Sequence, residues 1–404
     1  MVNPGKVRLL VCSVDSYPNV GGVSTFAFEL TNALSGLDVE CTYLGTKSAR
    51  FDKGTASFRV YNDWESSPTL RAGRGFEDED RRLVDLFRSV VEAFEITHLV
   101  AYHPFYYAPA MIAAGKAVGI PTAVVVHGTE LTSQFPEIMD DRRVPFDRDF
   151  AGSDLRARLG HVVANADHVL ANSSHTAALV ERIAPQISAR VVGCGISRAL
   201  FEREIAESPR YDAAERRTRR AALGLDTHTT IIYVGRLVRH KNLEHLIRLC
   251  SLTGFNGLIV GDGPMRPSLE RAARSSGAKV TFAGRVDEAT KWRLLRSADF
   301  GYLMSTHDES SGAYEGFGIS LLEYAAAGVA CLANGLHGTS DFARDMVTSV
   351  GGAGDATDVA RRILAASADA TLLERLVSNA RNAVAESFTW DLVAQRVLES
   401  INAE

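Results

Sequence analysis

The chain has 404 residues, 46% of them hydrophobic and 23% charged, with a formal net charge of −5 at pH 7. That length exceeds one ordinary domain and suits two, and the composition is that of a soluble globular protein. The acidic balance argues against a nucleic-acid binder, which carries a basic face, and no apolar run approaches the ~18 residues that cross a bilayer.

Five cysteines, Cys12, Cys41, Cys194, Cys250 and Cys331, are scattered in mostly apolar contexts with no close pair. That pattern predicts reduced thiols in a cytoplasmic protein without a cysteine metal site. The opening apolar run, Val7–Val14, is short and is followed by Asp15 rather than a small-residue cleavage site, so it reads as a first β-strand and not a signal peptide.

After that strand, the glycine loop 16–22 leads into a helix over 23–34. Gly21 and Gly22, at a strand-to-helix junction, suit close approach to a phosphate or sugar, and a simple tight turn fits them equally well. Glu77-Asp-Glu-Asp80 contains an acidic pair of a kind that can hold a divalent cation. Because it immediately precedes the apolar-periodic 83–94, it reads better as acidic residues at a helix N-terminus. Strands are expected at 98–101 and 122–126, separated by the aromatic cluster 102–107 and a helix over 108–118, with packing the favoured role of the aromatics. The second of these strands ends on His127, on the edge where open α/β sheets bind ligands. Residues 132–153 are polar and read as an acceptor-side loop or lid. A helix near 153–166, a strand at 168–171 and a strand near Val191 complete the first half.

Residues 1–198 show no basic surplus to draw them to an anionic membrane. From 197 to 225 the composition turns charged and helical. The cluster Arg216, Arg217, Arg219 and Arg220, interspersed with Asp212 and Glu215, predicts a solvated linker helix rather than a phosphate or RNA site.

The strand–loop–helix rhythm then restarts, as a second doubly wound sheet would. A strand at 230–234 feeds Gly235-Arg-Leu-Val-Arg-His-Lys-Asn242, where Arg236 and Lys241 are placed to grip a diphosphate, a structural salt bridge being the alternative for each. A strand at 258–260 ends in Gly261-Asp-Gly263-Pro, which lacks the third glycine of a dinucleotide fingerprint and so argues against an NAD enzyme. The strand 280–282 runs to Gly284-Arg285, whose backbone could read a base edge. Strands at 299–304 and 329–333 bracket Glu315-Gly-Phe-Gly-Ile-Ser-Leu-Leu-Glu323, and the C-terminal helix, 372–399, has a potential kink at Phe388–Trp390.

That last motif sets two carboxylates eight positions apart across a Gly316-Phe317-Gly318 turn that opens an apolar helix. Free amides at a helix start suit an anion, Glu323 is placed to accept from a vicinal diol, and Glu315 is free to reach a second set of hydroxyls. A diphosphate flanked by two sugars fits that layout. The alternatives are a loop charge at Glu315 and a solvated helix position at Glu323.

Taken together, Gly21-Gly22, His127, the 235–242 loop, Gly261-Asp-Gly-Pro264 and the pair Glu315 and Glu323 resemble the family-4 retaining glycosyltransferases over nearly the whole chain. The resemblance implies the GT-B fold, an α/β class with two Rossmann-like doubly wound domains facing across a cleft. The expected boundaries are 1–198 for the acceptor-side domain, 199–224 for a linker and 225–385 for the nucleotide-sugar domain. The remaining helix, 386–404, is expected to return to the N-terminal domain. The resemblance further implies that Glu323 holds the ribose, Glu315 the donor sugar hydroxyls, and Arg236 and Lys241 the diphosphate. Amides of Gly316, Phe317 and Gly318 and the Gly21-Gly22 loop would border the same site with Gly263 and Arg285, and His127 would contact the transferred sugar. Catalytic roles thus fall to His127, Glu315, Arg236 and Lys241. The donor is expected to be a nucleotide diphosphate sugar, UDP foremost, with no cofactor and no metal. The expected partners are small-molecule donor and acceptor only, without nucleic acid or membrane insertion.

Two departures from the family pattern stand out, a longer lead-in loop over 306–314 and Asp341 where a glutamate is usual. Asp308 and Glu309 in that loop suggest a cationic amino-sugar or aminocyclitol acceptor and hence a secondary-metabolite pathway. No residue presents itself as a nucleophile, so a same-face displacement is the expected mechanism. A phosphorylase on the same scaffold and a non-catalytic nucleotide-sugar sensor are the competing readings.

Overall fold

The computed structural model describes residues 6–13, 21–46, 56–63, 76–140, 155–208, 210–342 and 355–403. They form two compact units, one of residues 1–194 with 390–404 and the other of residues 195–389.

The first unit is built on a seven-stranded parallel sheet. Its elements are β1 (Arg8–Ser13), α1 (Gly22–Gly36), β2 (Glu40–Thr46), β3 (Arg59–Asp63), α2 (Phe76–Phe94), β4 (His98–Ala101), α3 (Tyr107–Val118), β5 (Thr122–Val126), α4 (Thr129–Gln134), α5 (Leu155–Asn165), β6 (His168–Ala171), α6 (Ser174–Ile183) and β7 (Arg190–Val191). Strand order is β3-β2-β1-β4-β5-β6-β7. The central strands β1, β4 and β5 are buried beyond their first residue, with every residue of β5 buried, as expected of a parallel sheet covered on both faces. The order reverses between β1 and β4, which opens a crevice at their carboxyl ends.

The strands β4, β5 and β6 fall where the sequence pattern predicts them. β2 and β3 have no counterpart in the sequence reading. β2 opens on Glu40 and carries Gly45, and β3 is an edge strand with Arg59, Val60 and Tyr61 exposed, so neither shows a clean apolar run. α2 begins at Phe76, so Glu77–Asp80 form its first turn, and the Asp80 carboxylate receives two hydrogen bonds from Arg158 at 2.7 and 2.8 Å. Of the expected 132–153 loop, residues 141–153 lie outside the described residues, as do 14–20 of the first glycine loop.

The second unit runs through α7 (Arg198–Glu207), α8 (Ala213–Ala222), β8 (Thr230–Val234), α9 (Leu243–Thr253), β9 (Asn256–Val260), α10 (Arg266–Ser276), β10 (Val280–Gly284), α11 (Glu288–Leu295), β11 (Phe300–Leu303), α12 (Ile319–Ala326), β12 (Ala330–Ala333), α13 (Ala356–Ser367) and α14 (Ala370–Ser387). Its five parallel strands are ordered β10-β9-β8-β11-β12, with the reversal at β8 and β11. A break at Phe388–Thr389 ends α14, and the last helix, α15 (Trp390–Ile401), belongs to the first unit, where the Trp390 and Phe26 rings meet edge-on at 5.4 Å.

The reading of the cluster Arg216, Arg217, Arg219 and Arg220 as a solvated helix is corrected at Arg216 and Arg220. Arg216 and Arg220 are each 2% exposed, and they anchor α8 onto the second unit. Arg220 bonds Asp299 at 2.9 Å and the Ser297 carbonyl at 2.6 Å, while Asp299 also accepts from the Thr230 amide and the Tyr211 hydroxyl. Arg216 donates to the carbonyls of Ala298 and Gly328. The arginines that composition assigns to water instead satisfy backbone carbonyls at strand starts and at a helix end, where a buried guanidinium supplies five donors at once. Arg217 and Arg219, on the other face, stay outside the core.

Candidate functional site

The loops that leave the carboxyl ends of β8 and β9 are welded to each other through glycine. Gly235 and Gly261 both have positive φ, 152° and 126°, and a Cβ on Gly261 would strike the Gly235 carbonyl. A Cβ on Gly263 would lie 2.5 to 2.8 Å from backbone atoms of Leu237. The Leu237 amide bonds the Asp262 carbonyl and the Met265 amide bonds the Leu237 carbonyl, both at 3.0 Å. Gly263 thus sits against the 236–241 loop, which carries Arg236 and Lys241. Two buried tyrosines finish that loop, Tyr233 donating to the Arg236 carbonyl and Tyr302 to the Asn242 carbonyl, each at 2.8 Å.

Glu315 meets this loop directly. Lys241 Nζ donates to Glu315 Oε2, and both side chains are largely buried. The strand-end turn is set from behind by Gly338, whose amide donates to the Glu315 carbonyl and whose Cα faces the Gly316 carbonyl too closely for any side chain. Gly318, with φ 99°, is the N-cap of α12, a backbone state for which glycine is suited. The Phe317 side chain points away into apolar surroundings and packs edge-on against Phe388 at 5.7 Å, leaving its backbone as the part near the turn.

Glu323 lies on α12 and pairs with Lys291 of α11 at 2.7 Å, and Lys291 also holds Glu288 at 2.8 Å. Burial disfavours the charge on Lys291, but Glu323 and Glu288 outweigh it and hold its pKa above the ordinary lysine value. At the other end of α12, Arg381 donates to the Ala325 and Ala326 carbonyls at 3.1 and 3.0 Å and Arg216 to that of Gly328. Cations at a helix C-terminus complement its dipole, which leaves the opposite end available to negative charge.

His240, beside Lys241, is pushed down to about 4 by burial and then by the neighbouring lysine, so this part of the site carries a neutral imidazole at pH 7. Asp308 in the lead-in loop accepts from the hydroxyls of Ser310 and Ser311, each at 2.7 Å, and these bonds hold its carboxyl below the usual range. Arg285 follows β10 and is exposed, as is Arg236.

In the first unit, Gly21 and Gly22 open α1, and among the described residues a Cβ on Gly22 would meet nothing within 4 Å. His127 follows β5. Its Nε2 lies 2.8 Å from the Tyr102 carbonyl, and because a carbonyl only accepts, Nε2 is the donor in that bond and Nδ1 is the other ring nitrogen. The Phe26 ring meets the imidazole edge-on at 4.9 Å, and Asn172 and Glu130 hold the His127 carbonyl and amide.

Within the second unit the structure therefore joins Lys241 to Glu315, sets Gly263 under their loop, and places Glu323 on the helix that the Glu315 turn opens. His127, Gly21 and Gly22 lie in the other unit. Lys291 is absent from the sequence-predicted set. Its one signal is a lysine three residues after Glu288 in the helix that follows β10, a spacing shared by many surface pairs.

Comparison with known proteins places these halves in context. Residues 20–200 match the model described as Glycosyltransferase Family 4, and residues 215–383 match that described as Glycosyl transferases group 1. An uncharacterized glycosyltransferase of Methanocaldococcus jannaschii is 31% identical over 187 residues, 44% of this chain and 46% of that one. The alpha-D-kanosaminyltransferase of Streptomyces kanamyceticus is 25% identical over 246 residues, 58% of each chain. The chain thus spans about half the length of the curated relatives it matches. Among solved structures, Anabaena HepE in complex with UDP and glucose superimposes with a TM-score of 0.70 at 16% identity, covering 97% of this chain and 98% of that one. The fold is GT-B.

Proposed function

The chain belongs to the family-4, group-1 glycosyltransferases, and from that premise we propose that it is a retaining enzyme moving a sugar from a nucleotide diphosphate sugar to a hydroxyl of a small soluble acceptor. UDP is the expected nucleotide, and an amino-sugar or aminocyclitol of a secondary-metabolite pathway is the expected acceptor. A 2-deoxystreptamine glucosyltransferase of Streptomyces kanamyceticus, 24% identical over 265 residues, bears an aminocyclitol in its name and supports that acceptor class. The observation that carries the reading is the joining of Lys241 and Glu315 at the carboxyl edge of one sheet, on the turn that opens the helix bearing Glu323.

Each residue then has a defined task. Glu323 accepts hydrogen bonds from the ribose diol, with Lys291 holding the carboxylate in place. Arg236 and Lys241 neutralise the diphosphate as its bond to the anomeric carbon breaks, and the amides of Gly316 to Gly318 add the helix start. Lys241 has three N–H groups, so one stays on Glu315 while others reach phosphate oxygens. Preorganised charge of this kind usually contributes more to catalysis than any other single effect, and it supplies what a divalent ion would otherwise provide. Glu315 holds sugar hydroxyls, and His127 offers Nδ1 to another. The acceptor oxygen bonds to the anomeric carbon on the face from which the phosphate departs, and its proton passes to the leaving phosphate oxygen. Configuration is retained without a covalent sugar–enzyme bond.

The test is incubation with UDP-, GDP-, ADP- and dTDP-sugars and a panel of aminocyclitol, amino-sugar and neutral acceptors, in EDTA. Products are read by mass and by the anomeric coupling constant. An α-linked product from an α-donor is expected. Failure to release nucleoside diphosphate from any donor, or an inverted product, overturns the proposal.

A further inference from the structure

At the point where the second sheet reverses its order, β8 and β11 pair only through Phe300↔Ile231 and Gly301↔Ile232. Beyond that, the hydroxyl of Tyr324 stands between the two strands. It accepts from the Val234 amide at 3.1 Å and donates to the Tyr302 carbonyl at 3.2 Å. The ring packs against β11 at Gly301, where any Cβ would collide with it, so the sequence supplies a glycine on the strand for a tyrosine on the helix. Tyr324 is fully buried, and it directly follows Glu323 on α12. Val234 directly precedes the loop that carries Arg236 and Lys241.

One side chain therefore links the helix that bears Glu323 to the two strand ends between which the crevice opens. We propose that Tyr324 is a positioning residue, its hydroxyl holding β8 and β11 apart so that the diphosphate-gripping loop and the ribose-holding helix keep the spacing of a nucleoside diphosphate. Without the hydroxyl, the Val234 amide and the Tyr302 carbonyl lose their partner, and the strand ends close on each other or admit water. Either outcome moves the 236–241 loop relative to α12. The inference rests on the proposed nucleotide-sugar reading of this site.

The test variant is Tyr324→Phe, which keeps the ring on Gly301 and so preserves packing. Affinities for UDP and for uridine are measured by calorimetry well below the melting temperature, and amide hydrogen exchange is followed over residues 230–242. UDP affinity is expected to fall about tenfold, uridine affinity to change less than about twofold, and exchange at 234–242 to accelerate. Uridine is spared because it touches α12 without spanning to the loop. A lower melting temperature with unchanged UDP affinity and unchanged exchange overturns the proposal and leaves Tyr324 as packing only. If the wild-type chain binds none of UDP, GDP, ADP and dTDP, the nucleotide reading fails, and the exchange measurement still decides whether Tyr324 sets the loop.

Discussion

Lys291 Nζ lies 2.7 Å from Glu323 Oε1, so the carboxylate expected to hold a ribose is fixed in place by a cation from the neighbouring helix. Both side chains are less than one-fifth exposed, which takes the pair out of the weak surface class. Removing one partner leaves the other as an uncompensated, partly buried charge. Lys291→Met is expected to weaken UDP binding about tenfold, near 1.4 kcal/mol. Combined with Glu323→Gln, its effect should be less than additive, because the two residues act as one unit. Calorimetric titration of the two single variants and the double variant checks this, and full additivity would count against the coupling.

Glu315 and Lys241 make the corresponding pair on the loop side. Here the expected split is kinetic. Glu315→Ala should lower kcat by about a hundredfold while leaving UDP affinity within about threefold, the size of a lost transition-state contact. Glu323→Ala should do the reverse, raising the donor KM with a smaller change in kcat. Steady-state kinetics with the preferred donor, alongside UDP titration, separates the two.

Two glycines distinguish fold from ligand. Gly263→Ala drives a Cβ into the Leu237 backbone, so it should displace the 236–241 loop, lower the melting temperature by several degrees and weaken UDP binding about tenfold. Gly22→Ala meets no described atom within 4 Å and should leave the melting temperature within about 1 °C. A raised donor KM in that folded variant would mark close approach of the ligand backbone at α1. An unchanged KM would return Gly21-Gly22 to a simple turn.

His240 gives a pH prediction with a definite sign. Burial first, then Lys241, lowers its pKa from 6.5 to about 4, so between those values the unfolded chain binds a proton that the folded chain does not. Its contribution to stability is complete above pH 6.5 and is lost as the pH falls toward 4. The melting temperature should therefore drop across that window, and His240→Gln should flatten part of the drop. His245 and His98 are also lowered by burial and account for a share of what remains. An identical pH profile for wild type and variant would refute the assignment.

Much of the second sheet's site was legible from local pattern alone. Gly261-Asp-Gly-Pro264 and Gly235-Arg-Leu-Val-Arg-His-Lys-Asn242 each follow an apolar strand, and strand ends in a parallel sheet share one edge, so their meeting follows from topology. The Glu315–Glu323 spacing likewise spans a turn and the helix after it, within reach of sequence reasoning. The arginines of α8 were not legible. Their composition matches a solvated helix, and only the burial of Arg216 and Arg220 against carbonyls far along the chain distinguishes the two cases.

The sequence by itself determined the alternation of strand and helix, the doubled parallel-sheet architecture, the loops that carry Arg236, Lys241 and Glu315, and the helix that carries Glu323. Period and turn chemistry act within a dozen residues, and a single chain displays them openly. Tertiary structure decided which polar groups meet: Lys241 with Glu315 across 74 positions, Lys291 with Glu323 across 32, and Arg216 with the Gly328 carbonyl across 112. It also decided that Tyr324 bonds Val234 across 90 positions. Such pairings depend on where distant segments are packed in three dimensions, and no local pattern in one sequence records that.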